Sequence, residues 1–146
     1  MVEYKLVIGA KDGKCHQVEL KDEKAEALHD RHLGETIPGD SLGFEGYEFL
    51  ITGGSDKCGF PMRKGIQDAR KKVLIGGSVG FNGKKRPLRK KSKRTKQNGL
   101  VKRRTVCGER ISKIIRQVNV KVVKVGAKPL GEAPAEVAAE SDAKKE

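Results

Sequence analysis

The sequence predicts a mainly β protein: a small β-barrel with one short helix, a basic extended arm and a disordered C-terminal tail. Three observations carry this. Apolar and polar residues alternate with a period of two in several short runs, the pattern of half-buried strands. Glycine is abundant, 18 of 146 residues, which suits many tight turns. Aromatic residues are 4% with no Trp, so the core is aliphatic and modest.

The elements follow in chain order. In "VEYKLVIG" the residues Val2, Tyr4, Leu6 and Ile8 alternate with Glu3 and Lys5. After "KDGK", the run "GKCHQVEL" alternates His16, Val18 and Leu20. Asp-Gly between two such runs signals a hairpin. "KDEKAEALHDRHLG" predicts the helix, opened by acids and closed by Gly34, with His29 and His32 on its surface. "GYEFLIT" places Tyr47, Phe49 and Ile51 on one face. "KKVLIGG" and "NGLVKRRTVCG" are two further strands. "RQVNVKVVKVG" alternates Val118, Val120 and Val122, then breaks step at Val123 and Val125, as at a bulge or a strand end buried on both faces. The domain is expected over residues 1–128. The Ala/Glu/Pro-rich stretch 129–146 has no apolar periodicity and reads as a tail.

Charge is segregated. Residues 1–68 hold nine basic and 13 acidic side chains, whereas residues 69–108 hold 15 basic and no acidic ones. The whole chain carries a formal net charge of +13. A solvated charged face usually mixes both signs, so an acid-free block points to a polyanionic partner. The block includes Lys71, Lys72 and Lys102, and its densest part is an arm over residues 84–99. Nine basic residues fall there: Lys84, Lys85, Arg86, Arg89, Lys90, Lys91, Lys93, Arg94 and Lys96. Like charges repel, so Lys84–Gln97 is expected to be unfolded until RNA supplies counter-charge. Few aromatics argue for phosphate contacts over base-stacking on rings.

"TGGSDKCGFPMRKGI", Thr52 to Ile66, is the stretch that most invites a catalytic reading. A phosphate-cradling P-loop needs Lys and Ser/Thr after its second glycine, but Phe60 and Pro61 follow Gly59. Ser55 or Cys58 as a nucleophile needs a base, and nothing in the sequence couples His16, His29 or His32 to this loop. The remaining reading is architectural. Gly53, Gly54, Ser55 and Asp56 form a turn in which glycine takes positive φ. Gly59, Phe60, Pro61 and Met62 complete a structural loop, with Lys57, Arg63 and Lys64 facing outward. Cys15, Cys58 and Cys107 have no Cys-x-x-Cys spacing and read as reduced, packed small residues, not as metal ligands. No metal, cofactor or small-molecule substrate is expected. No apolar run reaches the roughly 18 residues of a membrane span. The N-terminus lacks the pattern of a signal peptide, so the chain is expected in the cytoplasm.

The run "ITGGSDKCGFPMRKGI" closely resembles the Gly-Gly-Asn-Asp-Lys-x-Gly-Phe-Pro-Met signature of ribosomal protein six of the small subunit, the archaeal and eukaryotic type. "KRRTVCGERIS" is similar to a second family segment, and "VNVKVVKVGAKPL" to its closing strand. The resemblance implies a structural, non-catalytic constituent of the small ribosomal subunit, bound to ribosomal RNA and to neighbouring ribosomal proteins. It implies RNA-facing roles for Lys57, Arg63, Lys64, Arg103, Arg104 and Arg110. Ser55 stands where the family has Asn, and Cys107 where it has Arg. The long phosphorylated C-terminal helix of eukaryotic members is not expected in this archaeal-like form. Two rival readings are an RNA-modifying enzyme with a basic docking arm and a free RNA- or DNA-binding regulator. The first lacks an acid/base cluster, and the second lacks a basic recognition helix.

Overall fold

A computed structural model describes residues 3–21, 23–85, 95–126 and 130. Seven strands form: β1 (Glu3–Gly9), β2 (Cys15–Lys21), β3 (Thr36–Pro38), β4 (Glu48–Asp56), β5 (Arg70–Ile75), β6 (Lys102–Cys107) and β7 (Ile115–Lys124). Five of them make one sheet in the order β2-β1-β7-β4-β3, curled as a half-barrel, and β5 and β6 make a separate two-stranded ribbon. The strands lie where the alternation put them, because each alternation buries one face. Tyr4, Leu6 and Ile8 from β1, Phe49 and Ile51 from β4, and Val118, Val120 and Val122 from β7 are all buried together. β7 is the longest strand and sits centrally, parallel to β1 and antiparallel to β4. Phe44, Tyr47 and Phe49 close one end of the core, with Tyr47 and Phe49 stacked at 5.7 Å between ring centroids.

The break in step along β7 is a bulge. Glu48 pairs with Lys124 and Phe49 with Val122, which leaves Val123 as the extra residue. Val123 and Val125 are exposed, so the alternative of a doubly buried strand end is overturned.

The expected helix is mostly absent. α1 spans Glu23–Glu26 alone. Asp30 adopts a left-handed φ of 64°, and its N–H donates to the Ile111 carbonyl at 3.0 Å. The next residues pair with 109–111, with His32 bridged to Arg110. Tertiary pairing thus ends the helix long before Gly34. His29 and His32 do not share a helix face. His29 is half-buried, with Nδ1 3.1 Å from the Tyr4 hydroxyl, and His32 lies in the bridge.

Of the expected arm, residues 86–94 lie outside the described residues. Its flanks are not unfolded. The Lys85 N–H donates to the Thr95 carbonyl at 3.0 Å, the Gln97 N–H donates to Gly83 at 3.2 Å, and Lys84 bridges Lys96. Backbone pairing holds these flanks although both strands are basic at this point. On the tail side of the expected boundary, Leu130 packs partly buried against the main core, and residues 131–146 lie outside the described residues.

Candidate nucleic-acid interface

The Thr52–Ile66 stretch turns out to join the two sheets. Gly53 and Gly54 are not a turn. They lie inside β4, paired with Asn119 and Val118 of β7, and neither has positive φ. Gly54 is required for another reason: a Cβ there would stand 2.5 Å from the Gln117 carbonyl oxygen and 2.8 Å from the Met62 sulfur. The turn comes later, at residues 56–59, with Gly59 at φ 82°. Phe60, Pro61 and Met62 then run back along β4. The Met62 N–H donates to the Gly54 carbonyl at 2.9 Å, and the Asp56 N–H donates to Phe60 at 3.1 Å. On its other side this segment meets β6, where the Cys107 N–H donates to Pro61 at 2.9 Å and the Arg63 N–H donates to Cys107 at 3.1 Å. The signature is therefore a hydrogen-bonded wedge that locks the basic ribbon onto the half-barrel.

Asp56 is the hub of the wedge. Among the described residues it is the one buried charged side chain, 4% exposed. One carboxylate oxygen accepts the N–H groups of Cys58 and Phe60, each at 2.8 Å. The other accepts Arg70 Nε at 2.7 Å and the Cys107 thiol at 3.2 Å, and is 2.6 Å from a terminal guanidinium nitrogen of Arg70. Burial by itself raises a carboxyl pKa. Here the bonds from Phe60, Cys107, Cys58 and Arg70 outweigh it and hold Asp56 below the ordinary carboxylate value. Burial, then the facing Asp56, pushes the Cys107 thiol up to about 11. The Arg70 guanidinium lies 5.6 Å from the Phe60 ring centre. Arg70 escaped the sequence reading because nothing local marks it. Its partner is 14 residues away and the contact exists only after β5 folds beside the loop. The cysteines also need correction: only Cys107 is buried, while Cys15 and Cys58 are exposed.

Several of the basic residues are occupied by protein partners. Arg63 donates to the Ser78 hydroxyl and the Val79 carbonyl, both at 2.8 Å. Lys71 pairs with Asp68 at 2.7 Å, and Arg110 with Asp30 at 2.7 Å. Lys57 is exposed and, with Arg116 and Lys21, keeps the nearby Glu3 carboxyl below its usual value, Arg116 having the largest effect. Lys64 is exposed and reaches over Gly34.

A second set stays clear of acids. β5 and β6 pair so that Lys72 faces Thr105, Leu74 faces Arg103 and Ile75 faces Lys102. Opposed residues share a face, so consecutive Arg103 and Arg104 point to opposite sides of the ribbon. Lys72, Leu74 and Arg103 lie on the open side, where Leu74 is 67% exposed. The other side covers a small core of Ile66, Ile75, Phe81 and Val106. There Lys102 and Arg104 sit over the Phe81 ring, each 5.8 Å from its centre. The ribbon continues through residues 76–82 into the paired base of the arm, which carries exposed Lys84, Lys85 and Lys96. The arm's remaining basic residues, Arg86, Arg89, Lys90, Lys91, Lys93 and Arg94, lie outside the described residues.

A family model described as Ribosomal protein S6e matches residues 4–134. The chain belongs to this family. A protein named small ribosomal subunit protein eS6 from Methanosphaera stadtmanae is 40% identical over 134 residues, covering 91% of this chain and 93% of the relative. The protein of the same name from Methanococcus maripaludis strain C5 is 39% identical, covering 90% and 95%. That from Methanocaldococcus jannaschii is 38% identical, covering 87% and 86%. The family is a structural, ribosomal one, and the chain is not an enzyme. The wedge agrees with this: the Asp56 carboxylate, the one acid of the Gly-Gly-x-Asp loop, is spent on holding the loop to Arg70 and Cys107. Among the described residues, no helix is long and apolar enough to cross a membrane.

Proposed function

We propose that this chain is a constituent of the small ribosomal subunit, in the cytoplasm, that binds ribosomal RNA through the β5–β6 ribbon and the arm it carries. It supports subunit assembly and translation beside neighbouring ribosomal proteins. The observation that supports this most is the sorting of charge by the fold. The acid-free block folds into the β5–β6 ribbon and the base of the arm, where Lys72, Lys84, Lys85, Lys96 and Arg103 are all exposed and none has an ion pair among the described residues. Ribosomal RNA presents phosphates and 2′-hydroxyls on an irregular A-form surface, and such a surface is met by shape and charge. Lysine and arginine neutralise phosphates and release counterions.

The arm and the ribbon divide the work. The arm supplies many weakly directional contacts. The ribbon, fixed by the Asp56 wedge, sets orientation. The test is binding of the purified chain to fragments of small-subunit RNA across a salt series. Deleting residues 86–94 and closing the base with a short Gly-containing turn removes six basic residues. With about half of them on phosphates, log affinity against log salt flattens by about 2–3 units, at about 0.7–0.9 per contact. Replacing Lys72, Lys102, Arg103 and Arg104 by Ala flattens it less but removes the preference for the correct RNA region. An unchanged slope after the arm deletion refutes this division, and so does loss of the preference from that deletion alone.

A further inference from the structure

At the base of the arm, Gly76, Gly77, Gly83 and residues 96–101 line an open cleft of about 220 Å3. A water occupies roughly 30 Å3, so the space exceeds that of a bridging solvent molecule. One wall is bare backbone. Gly77 and Gly83 approach so closely that a Cβ on Gly83 would lie 3.1 Å from the Gly77 Cα. Gly76 beside them leaves room, its nearest atom to an added Cβ being a Val101 methyl at 3.9 Å. A second wall is apolar. Leu100 is anchored on the small ribbon core, and Val101 is 56% exposed with nothing covering it. Lys96, Gln97 and Asn98 also line the cleft, and the amides of Gln97 and Asn98 have no hydrogen-bond partner among the described residues.

We propose that this cleft takes one unpaired nucleotide of ribosomal RNA. The proposal rests on the RNA-binding reading above and deepens it. A base turned out of its stack has two apolar faces and a polar edge. Here a face meets Leu100 and Val101, the edge meets the Gln97 and Asn98 amides, and the 5′ phosphate meets Lys96. The glycines let the ribose-phosphate backbone come close, as side chains there would not. Unpaired bases are the part of RNA whose edges a protein can reach, because the A-form major groove is too narrow for side chains. An amide carries both donors and an acceptor, so it can match the Watson–Crick edge of a base. The ribbon and arm then measure phosphates, while the cleft registers a single bulged position.

The experiment compares two RNA hairpins of equal length, one fully paired and one with a single-nucleotide bulge, each base being tried at the bulge. The full chain is expected to bind at least one bulged hairpin about tenfold more tightly at equal salt, the scale of two side-chain hydrogen bonds. Gly76→Leu fills the cleft, and the Gln97→Ala, Asn98→Ala pair removes its amides. Both are expected to bring the two hairpins within about twofold of each other, with affinity for the paired hairpin and its salt slope retained. If Gly76→Leu fails to fold, the exposed Gln97/Asn98 variant decides alone. Equal binding of all hairpins by the unaltered chain overturns the cleft proposal and leaves the RNA-binding reading standing, as does a bulge preference that survives the Gln97/Asn98 variant. Failure to bind any hairpin overturns both.

Discussion

Replacing Asp56 with alanine is the sharpest perturbation of this fold. The change removes the acceptor for two backbone N–H groups, one thiol and the Arg70 guanidinium. These losses are unequal. The Cys58 amide belongs to an exposed residue, and the Arg70 side chain is 39% exposed, so water replaces part of what they lose. The Phe60 N–H and the Cys107 thiol lie deeper and stay unsatisfied. At about 1–3 kcal/mol for a buried group left without a partner, with the weakly donating thiol at the low end, the expected destabilisation is about 2–4 kcal/mol. For a chain of this size that lowers the melting temperature by about 6–15 °C. Asp56→Asn fares little better, because its amide turns two donors toward donors. The assay is urea and thermal unfolding followed by circular dichroism, with Arg70→Ala and the double variant completing a cycle. The double variant is expected to cost less than the two single losses together. The depressed Asp56 pKa adds a signature in acid. Its contribution is present above the unfolded carboxyl value, about 3.9, and is lost as pH falls through the lower folded value. The gap between the parent chain and Asp56→Ala therefore closes below about pH 4. A loss under about 1 kcal/mol at neutral pH, or additive single losses, refutes Asp56 as the hub.

Gly54→Ala is expected to cost about 1–3 kcal/mol in the same unfolding assay, through contact with Gln117 and Met62. Gly53→Ala, with nothing within 4 Å of the new methyl, changes stability by less than about 0.5 kcal/mol. At high pH, stability declines between about pH 9 and 11, because the unfolded Cys107 thiol releases its proton before the folded one does. Cys107→Ser lessens that decline, measured as melting temperature against pH. Ser55→Ala leaves folding and RNA affinity unchanged, read by melting and by binding in the salt series. A lost activity with intact folding would reopen a chemical role for the loop.

The strands were legible because burial of one face imposes a period of two on Tyr4, Leu6 and Ile8, on Phe49 and Ile51, and on Val118, Val120 and Val122. The break in that period at Val123 left a bulge and a doubly buried strand end open, and the β4–β7 register is that of a bulge. The helix was over-read. Nothing local in "HDRHLG" reveals that Asp30 takes left-handed geometry to pair with Ile111, a contact 81 positions away. The Gly-Gly pair reads in the sequence as a turn with positive φ, whereas it lies inside β4. Glycine in a turn and glycine under a neighbouring carbonyl look alike in sequence, and only the distance from Gly54 to Gln117 separates them. The charge block was legible as composition. Its division was not, because Arg110 meets Asp30 across 80 positions only through tertiary pairing, whereas Lys71 reaches Asp68 locally and Lys72 and Arg103 reach no acid among the described residues. Arg70 carried no sequence signal at all, and the arm's paired base was hidden by its charge.

A chain that works as part of the small ribosomal subunit and is held there by RNA must travel with that subunit for as long as the RNA is intact. Sedimentation of a cell extract through a sucrose gradient tests this most directly, with the chain detected by antibody across the fractions. The chain is expected to migrate with the small subunit and with intact ribosomes at moderate salt, and to leave them after ribonuclease treatment. A chain found mainly at the top of the gradient at moderate salt, or one that keeps its position after the RNA has been digested, would contradict that role.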